Sequence, residues 1–157
     1  MMTDQDERTD PVHGLDIGEL QSGYAQDVYQ YWLDGKGDLK APRVDLIDPL
    51  KLPRKALPYI AIYDVEYDPV RFRGRLDGTA VVEEIGIDST GLYVDEQIRR
   101  KDQIARLKKC AMSCRPYIHT GQVTWTSRDY KHYTVLGLPF LGDQDRVARL
   151  LMVFEFW

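Results

Sequence analysis

The first apolar pattern in the chain is helical. Between residues 15 and 33 apolar side chains recur at helical intervals, and Gly35 follows as a stop. An amphipathic N-terminal helix is therefore predicted. Its stripe packs either on the sheet of its own domain or on the same helix of a second subunit; the first is favoured, because an apolar stripe normally faces its own core. The stripe consists of Leu20, Tyr24, Val28, Tyr31 and Trp32.

Five runs have the alternating, β-branched and aromatic character of strands. Two of them form a predicted hairpin around Asp68-Pro69, and three close the chain. In the second run, Phe72, Gly74 and Leu76 are predicted to face the core. The arginines between them form a stripe that is either a docking surface or, as we favour, an exposed face neutralised by acidic neighbours. The runs are residues 59–65, 71–76, 117–126, 132–140 and 147–157.

Helices are predicted between the hairpin and the last three strands. Thr79 is positioned to cap a short helix that Gly86 ends, and residues 95–115 read as a long helix ended by Pro116. The order is helix, two strands, several helices and three strands. It predicts an α+β fold: a five-stranded antiparallel sheet with helices over one face and an amphipathic helix at the N-terminus.

Length and charge narrow the possibilities. A chain of 157 residues, 43% of them hydrophobic, is long enough for one well-buried core. We expect a disordered leader over residues 1–13, which are polar, and a single domain over residues 14–157. The net charge of −4 makes nucleic acid an unexpected partner, and the apolar runs are too short for a membrane helix. With no export signal at the N-terminus, a cytoplasmic location is predicted.

No catalytic or metal-binding motif is present in the sequence. Cys110 and Cys114 lie four residues apart, which is too few ligands for zinc, and they are predicted to be small buried side chains. The helix over residues 95–115 carries seven basic residues against Asp102 on its polar side. This basic face is predicted to be solvated, with attraction of a phosphate-bearing ligand or an acidic partner as the alternative.

A connecting arm joins the first helix to the hairpin. It is rich in proline and carries Arg43, Asp45 and Asp48, which either form a charged site or tie the arm down. We favour a tie, in which Arg43 pairs with a nearby carboxylate, because most such pairs are structural.

A set of short motifs in fixed order carries a family resemblance. They are Arg75-Leu76-Asp77-Gly78-Thr79 and Gly86-Ile87-Asp88-Ser89-Thr90-Gly91, with Tyr31-Trp32, Pro42-Arg43, Asp45, Asp48-Pro49 and Leu57-Pro58 before them and Leu138-Pro139 after them. Over residues 24–157 this set resembles the stand-alone PAS domains of alphaproteobacteria. The resemblance implies the same sheet and helix layout and a sensory role in bacterial signal transduction. It also implies a ligand space between sheet and helices.

Four residues are candidates for contacting a ligand: Arg75, His119, Trp125 and Tyr133. The ligand itself is unknown. Haem is disfavoured, since haem-binding PAS domains typically ligate iron through a histidine on the long helix, and residues 95–115 contain none. Photoactive flavin is disfavoured because residues 80–98 contain no cysteine.

The predicted function is that of a non-enzymatic sensory module that binds a small molecule, a protein partner or both, with a homodimer through the N-terminal helix as one arrangement. Two alternatives remain open. One is a small α+β enzyme in which Asp64, His119 or Tyr133 supplies acid–base chemistry. The other is a ligand-free dimeric adaptor.

Overall fold

The strand pattern of the sequence produces one antiparallel sheet. In a computed structural model, which describes residues 9–10, 12–97, 100–123 and 132–157, five strands pair in the order β2-β1-β5-β4-β3. Every neighbouring pair is antiparallel, as predicted. The strands are β1 (Ile60–Glu66), β2 (Arg71–Asp77), β3 (Tyr117–Gln122), β4 (His132–Leu141) and β5 (Val147–Phe156). The predicted continuation of β3 to residue 126 lies outside the described residues.

The central strands β4 and β5 are buried on both of their faces. Their near-continuous apolar sequences are typical of strands covered from two sides, whereas β2 alternates at the sheet edge. One detail of β2 differs from the prediction: Leu76 is 43% exposed. The register shifts between Ile62 and Tyr63, so that Arg75 is an extra residue and Leu76 turns to the other face.

Helices cover the sheet from opposite sides. Tyr63, Val135 and Phe154 face the side on which α3 (Lys101–Ser113) packs. Side chains alternate along a strand, so Glu155 faces the other side. There the Glu155 carboxylate accepts hydrogen bonds from the backbone N–H groups of Gln21 (3.1 Å) and Ser22. These bonds place α1 (Gly23–Lys36) against the face opposite α3.

The apolar stripe of α1 lies in the core of its own chain, as favoured from the sequence. Ala25, Val28, Tyr29 and Trp32 are buried, and the Trp32 indole N–H donates to the carbonyl of Pro139 at 2.8 Å. The helix is shorter than predicted at its start. The Ser22 hydroxyl caps it by accepting a bond from the Ala25 N–H, and a separate 3₁₀ turn, Ile17–Glu19, precedes it.

The motif region between β2 and the long helix is held together by backbone contacts. The Asp77 carboxylate accepts a bond from the Ser89 N–H at 2.7 Å. Gly74 packs so closely that a Cβ there would lie 2.2 Å from the Ser89 carbonyl oxygen. Between these contacts runs α2 (Thr79–Ile85), which ends at Gly86 in the predicted left-handed conformation with φ 87°. The predicted Thr79 cap is wrong: Gly78 occupies the N-cap position and no side chain caps the helix.

The long helix is also shorter than residues 95–115. Val94–Glu96 forms a separate 3₁₀ turn, and Cys114 takes a left-handed conformation with φ 54°, which ends α3 at Ser113. Cys110 is buried as predicted, and Cys114 is partly buried. Both cysteines are free thiols.

Two further segments are tied to the domain. In the predicted leader, Thr9 forms a β-bridge with Asp16, and the Asp10 carboxylate accepts a hydrogen bond from the Tyr29 hydroxyl. In the arm, Arg43 pairs with Asp145 at 2.9 Å. The tie favoured from the sequence is therefore present, and its partner comes from the turn between β4 and β5 rather than from the arm.

Candidate functional site

A cavity of about 400 Å³ lies between the sheet and α3. Strands β1, β3, β4 and β5 contribute its floor, and α3 with the last residue of α2 contributes its roof. Its apolar wall is formed by Tyr63, Ile85, Val135 and Phe154. The three strand residues meet here because the register of the sheet places them on the same face.

The roof is polar and largely basic. Arg100, Gln103 and Arg106 line the cavity, and their spacing of three places them along one side of the helix. Arg100 Nη1 donates to the Tyr63 hydroxyl at 3.0 Å, and Gln103 Nε2 donates to the same oxygen at 3.4 Å. Arg106 Nη2 donates to the Tyr133 hydroxyl at 3.4 Å. The two tyrosines thus hold the arginines at the cavity.

Each of these arginines carries one further buried nitrogen. Arg100 Nη2 and Arg106 Nε have no hydrogen-bond partner within the part of the chain that the structure describes. A buried donor without a partner costs free energy, and a charged one costs more. Among the described lining residues the charged side chains are Arg100, Arg106 and Asp102, and Asp102 is exposed.

Two polar groups on the floor, His119 and Tyr133, have pKa values shifted toward their neutral forms. Burial lowers the pKa of His119, and the charge of Arg106 lowers it further. Burial raises the pKa of Tyr133, an effect that Arg106 partly offsets. The two rings lie beside each other, with centroids 5.9 Å apart. Hence these side chains are uncharged hydrogen-bonding groups beside a cationic roof.

The four residues predicted to contact a ligand are placed differently. His119 and Tyr133 both line the cavity. Arg75 does not: it is exposed at the bulge of β2 and pairs with Asp64 at 3.4 Å. Trp125 lies outside the described residues. Ligand contact by any of the four stays a prediction.

Sequence reasoning missed the individual roles of Arg100, Gln103 and Arg106. The two arginines were counted within a basic face that was predicted to be solvated. Their spacing of three was the available signal, since it sets them on one side of the helix next to the buried Leu107.

Of the residues proposed for acid–base catalysis, His119 and Tyr133 lie together at the cavity and Asp64 lies apart from them. Asp64 follows Tyr63 along β1, so its side chain leaves the sheet on the face opposite the cavity. There it pairs with Arg75 and with Arg149, the latter at 3.1 Å. His119 and Tyr133 lie on the cavity face, and the sheet separates them from this carboxylate.

Two of the three arginines on β2 have acidic neighbours, as favoured from the sequence, and the third, Arg73, donates to the Gly91 carbonyl at 3.2 Å. Arg71 pairs with Asp95 at 2.8 Å and stacks over the Tyr93 ring, with its guanidinium carbon 3.6 Å from the ring centroid. Arg75 is paired with Asp64. These contacts belong to the surface of the domain and not to the cavity.

Other kinds of site receive no support from the described residues. Neither Cys110 nor Cys114 lines the cavity, and burial raises the pKa of both thiols. Throughout the described ranges, no group of three or more histidine, cysteine or acidic side chains is arranged to hold a metal ion. No described helix combines the length and apolar character needed to cross a membrane. The expectations about haem and flavin stay predictions.

Comparison with known proteins gives two findings. The family described as "PAS domain" matches residues 21–154 of this chain. A solved structure described as "Structure of an RNA-binding Light-Oxygen-Voltage Receptor" is similar over 62% of this chain, with 15% sequence identity and a TM-score of 0.44; the match spans 29% of that chain. No curated protein matches. The family match covers nearly the whole described sheet and the helices around the cavity, and the chain therefore belongs to the PAS domain family of sensory modules.

Proposed function

We propose that this chain is a non-enzymatic sensor that binds a small molecule in the cavity beneath α3. The observation that carries the proposal is the cavity itself. Its volume of about 400 Å³ falls within the range of small-molecule sites, which is roughly 300–1,000 Å³. It also combines an apolar wall with a few convergent polar groups, as such sites do. Arg100 and Arg106 add charged hydrogen-bond donors to its lining.

The N-terminal helix is the proposed output element. Phe154 lines the cavity, and its backbone carbonyl accepts a hydrogen bond from the Tyr24 hydroxyl of α1 at 2.8 Å. The next residue, Glu155, binds the backbone N–H groups just before that helix. A ligand that displaces Phe154 therefore acts on the contacts of α1. Its free energy can shift this helix only through a difference in affinity between two arrangements of the domain.

The proposal also includes a protein partner. The chain would pass its signal to this partner in the cytoplasm, as part of bacterial signal transduction. A second copy of the chain is one such partner. Because the apolar stripe of α1 is buried within its own chain, a homodimer through this helix has to use the exposed side. That side is polar and carries Gln26, Asp27, Gln30 and Asp34.

Native mass spectrometry of protein purified from its own host tests the proposal. We expect a non-covalent extra mass that disappears on denaturation. Val135→Phe, which extends a wall residue into the cavity, is expected to abolish it. Val12→Phe is the matched control, since it makes the same change at an exposed position. A ligand retained by Val135→Phe would lie elsewhere. An unliganded mass for the wild-type protein would favour the adaptor.

A further inference from the structure

We infer that the ligand of this cavity is a small organic monocarboxylate with an apolar body, and that Arg100 and Arg106 hold its carboxylate. The inference rests on the proposed function, because it assigns a chemical class to the molecule that the cavity would bind. Three observations support it: the donors among the lining residues, the charges of the described lining and the nature of its wall.

Two donors come from the start of α3 and from its second turn. Arg100 is the N-cap residue of α3 and Arg106 lies within the helix, and each keeps a buried N–H without a partner among the described residues. Tyr63 adds a third donor, because its hydroxyl oxygen accepts from Arg100 and Gln103 and its own O–H hydrogen remains for a ligand. An ionised carboxylate accepts several hydrogen bonds and donates none, so it matches this set of donors. Hydrogen bonds from guanidinium to carboxylate are also roughly twice as strong as neutral ones.

The charges of the described lining favour an anion. Arg100 and Arg106 are partly buried cations, whereas Asp102, the carboxylate among the described lining residues, is exposed to solvent. A carboxylate that enters beside the two arginines compensates buried positive charge, and burial of uncompensated charge is unfavourable.

The wall determines the rest of the molecule. Tyr63, Ile85, Val135 and Phe154 present apolar and aromatic surface to the cavity. Burial of apolar ligand surface against such groups is favourable, and an aromatic ring can stack on Tyr63 or Phe154. A ligand with a charged end at α3 and an apolar end at the sheet satisfies both sides.

Calorimetric titration with pairs of compounds tests the inference. Each pair has one skeleton and differs only in charge: benzoate and benzamide, cinnamate and cinnamamide, octanoate and octanamide. For at least one pair we expect the acid to bind about tenfold tighter or more, because the amide loses charge-assisted hydrogen bonds. Arg106→Met should remove this preference, and Lys109→Met should retain it, since Lys109 is an exposed cation of the same helix.

The outcomes separate this inference from the proposed function. Equal binding of acid and amide, or an acid preference that survives in both Arg100→Met and Arg106→Met, overturns the inference. If Val135→Phe blocks the binding of these compounds in either case, the cavity remains a ligand site and the proposed function stands. A co-purifying ligand without an acidic group also overturns the inference alone. If no compound binds and the native mass is that of the unliganded chain, the proposed function is overturned as well.

Discussion

Replacement of Arg106 by methionine is expected to stabilise the ligand-free protein. Arg106 Nε is buried and has no partner among the described residues. A buried unsatisfied donor costs about 1–3 kcal/mol, and more when it is charged. The substitution removes this cost and gives up one hydrogen bond, from Arg106 Nη2 to the Tyr133 hydroxyl. That bond is long, at 3.4 Å, and its net contribution is at most about 1 kcal/mol.

Methionine preserves the packing of the side chain. The aliphatic stem of an arginine covers apolar surface, and the flexible thioether of methionine fills a similar space. The net expectation is a gain of about 1–2 kcal/mol in the free energy of unfolding. For a chain of this length such a gain raises Tm by about 2–8 °C. A stabilising change that also abolishes carboxylate binding would mark Arg106 as a binding residue maintained at a cost in stability.

Thermal and urea unfolding, followed by circular dichroism at pH 7, measure this effect. The protein is first unfolded and refolded, so that wild type and variant are compared without ligand. Lys109→Met removes one positive charge, as Arg106→Met does, but from an exposed position. It should alter the free energy of unfolding by less than about 0.5 kcal/mol. If Arg106→Met melts below both the wild type and this control, the guanidinium is a net stabilising group and the reasoning is refuted.

Three other predictions concern the framework around the site. Glu155→Gln should lower the free energy of unfolding by about 2 kcal/mol, because an amide N–H group then faces a backbone N–H group; an unchanged urea midpoint would contradict this. Burial alone would raise the pKa of Asp10, but hydrogen bonds from Tyr29 and His13 lower it to about 2. The ionised Asp10 therefore stabilises the fold at pH values above its ordinary pKa of 3.8, and this stabilisation is lost as the pH falls through about 2. Urea titrations of Asp10→Asn should show no such loss. Gly74→Ala should cost about 2 kcal/mol or more in a thermal melt, since its Cβ would lie 2.2 Å from a backbone oxygen, whereas Gly23→Ala in open space should not.

The order and type of the elements were predictable because they depend on short-range patterns. The alternation of β2 and the apolar runs of β4 and β5 indicate strands without reference to any distant residue. Gly86 ends its helix for a local reason as well, since glycine readily adopts positive φ. Element boundaries were predicted less well. The start of α1 is decided partly by Glu155, which binds the backbone before the helix from a position more than 130 residues away in the chain.

Register decided the composition of the candidate site. A shift of one residue turns a strand side chain to the opposite face, and the sequence of a strand does not state which residue it pairs with. Asp64 and His119 lie on opposite faces, whereas Tyr63 and Tyr133 share one, as the pairing of β1 with β5 and of β4 with its neighbours dictates. The bulge at Arg75 likewise turned Leu76 away from the core, which it was predicted to face.

The sequence by itself determined the α+β fold class, the helical stripe that enters the core and the ordered motifs that resemble PAS domains. These features follow from the periodicity and turn chemistry of neighbouring residues. Only the tertiary structure decided that Arg100 and Arg106 cover a cavity instead of facing solvent. Their burial depends on the sheet beneath α3, whose strands come from both halves of the chain. Their spacing in the sequence is compatible with one side of a helix, but it carries no information about what packs against that side.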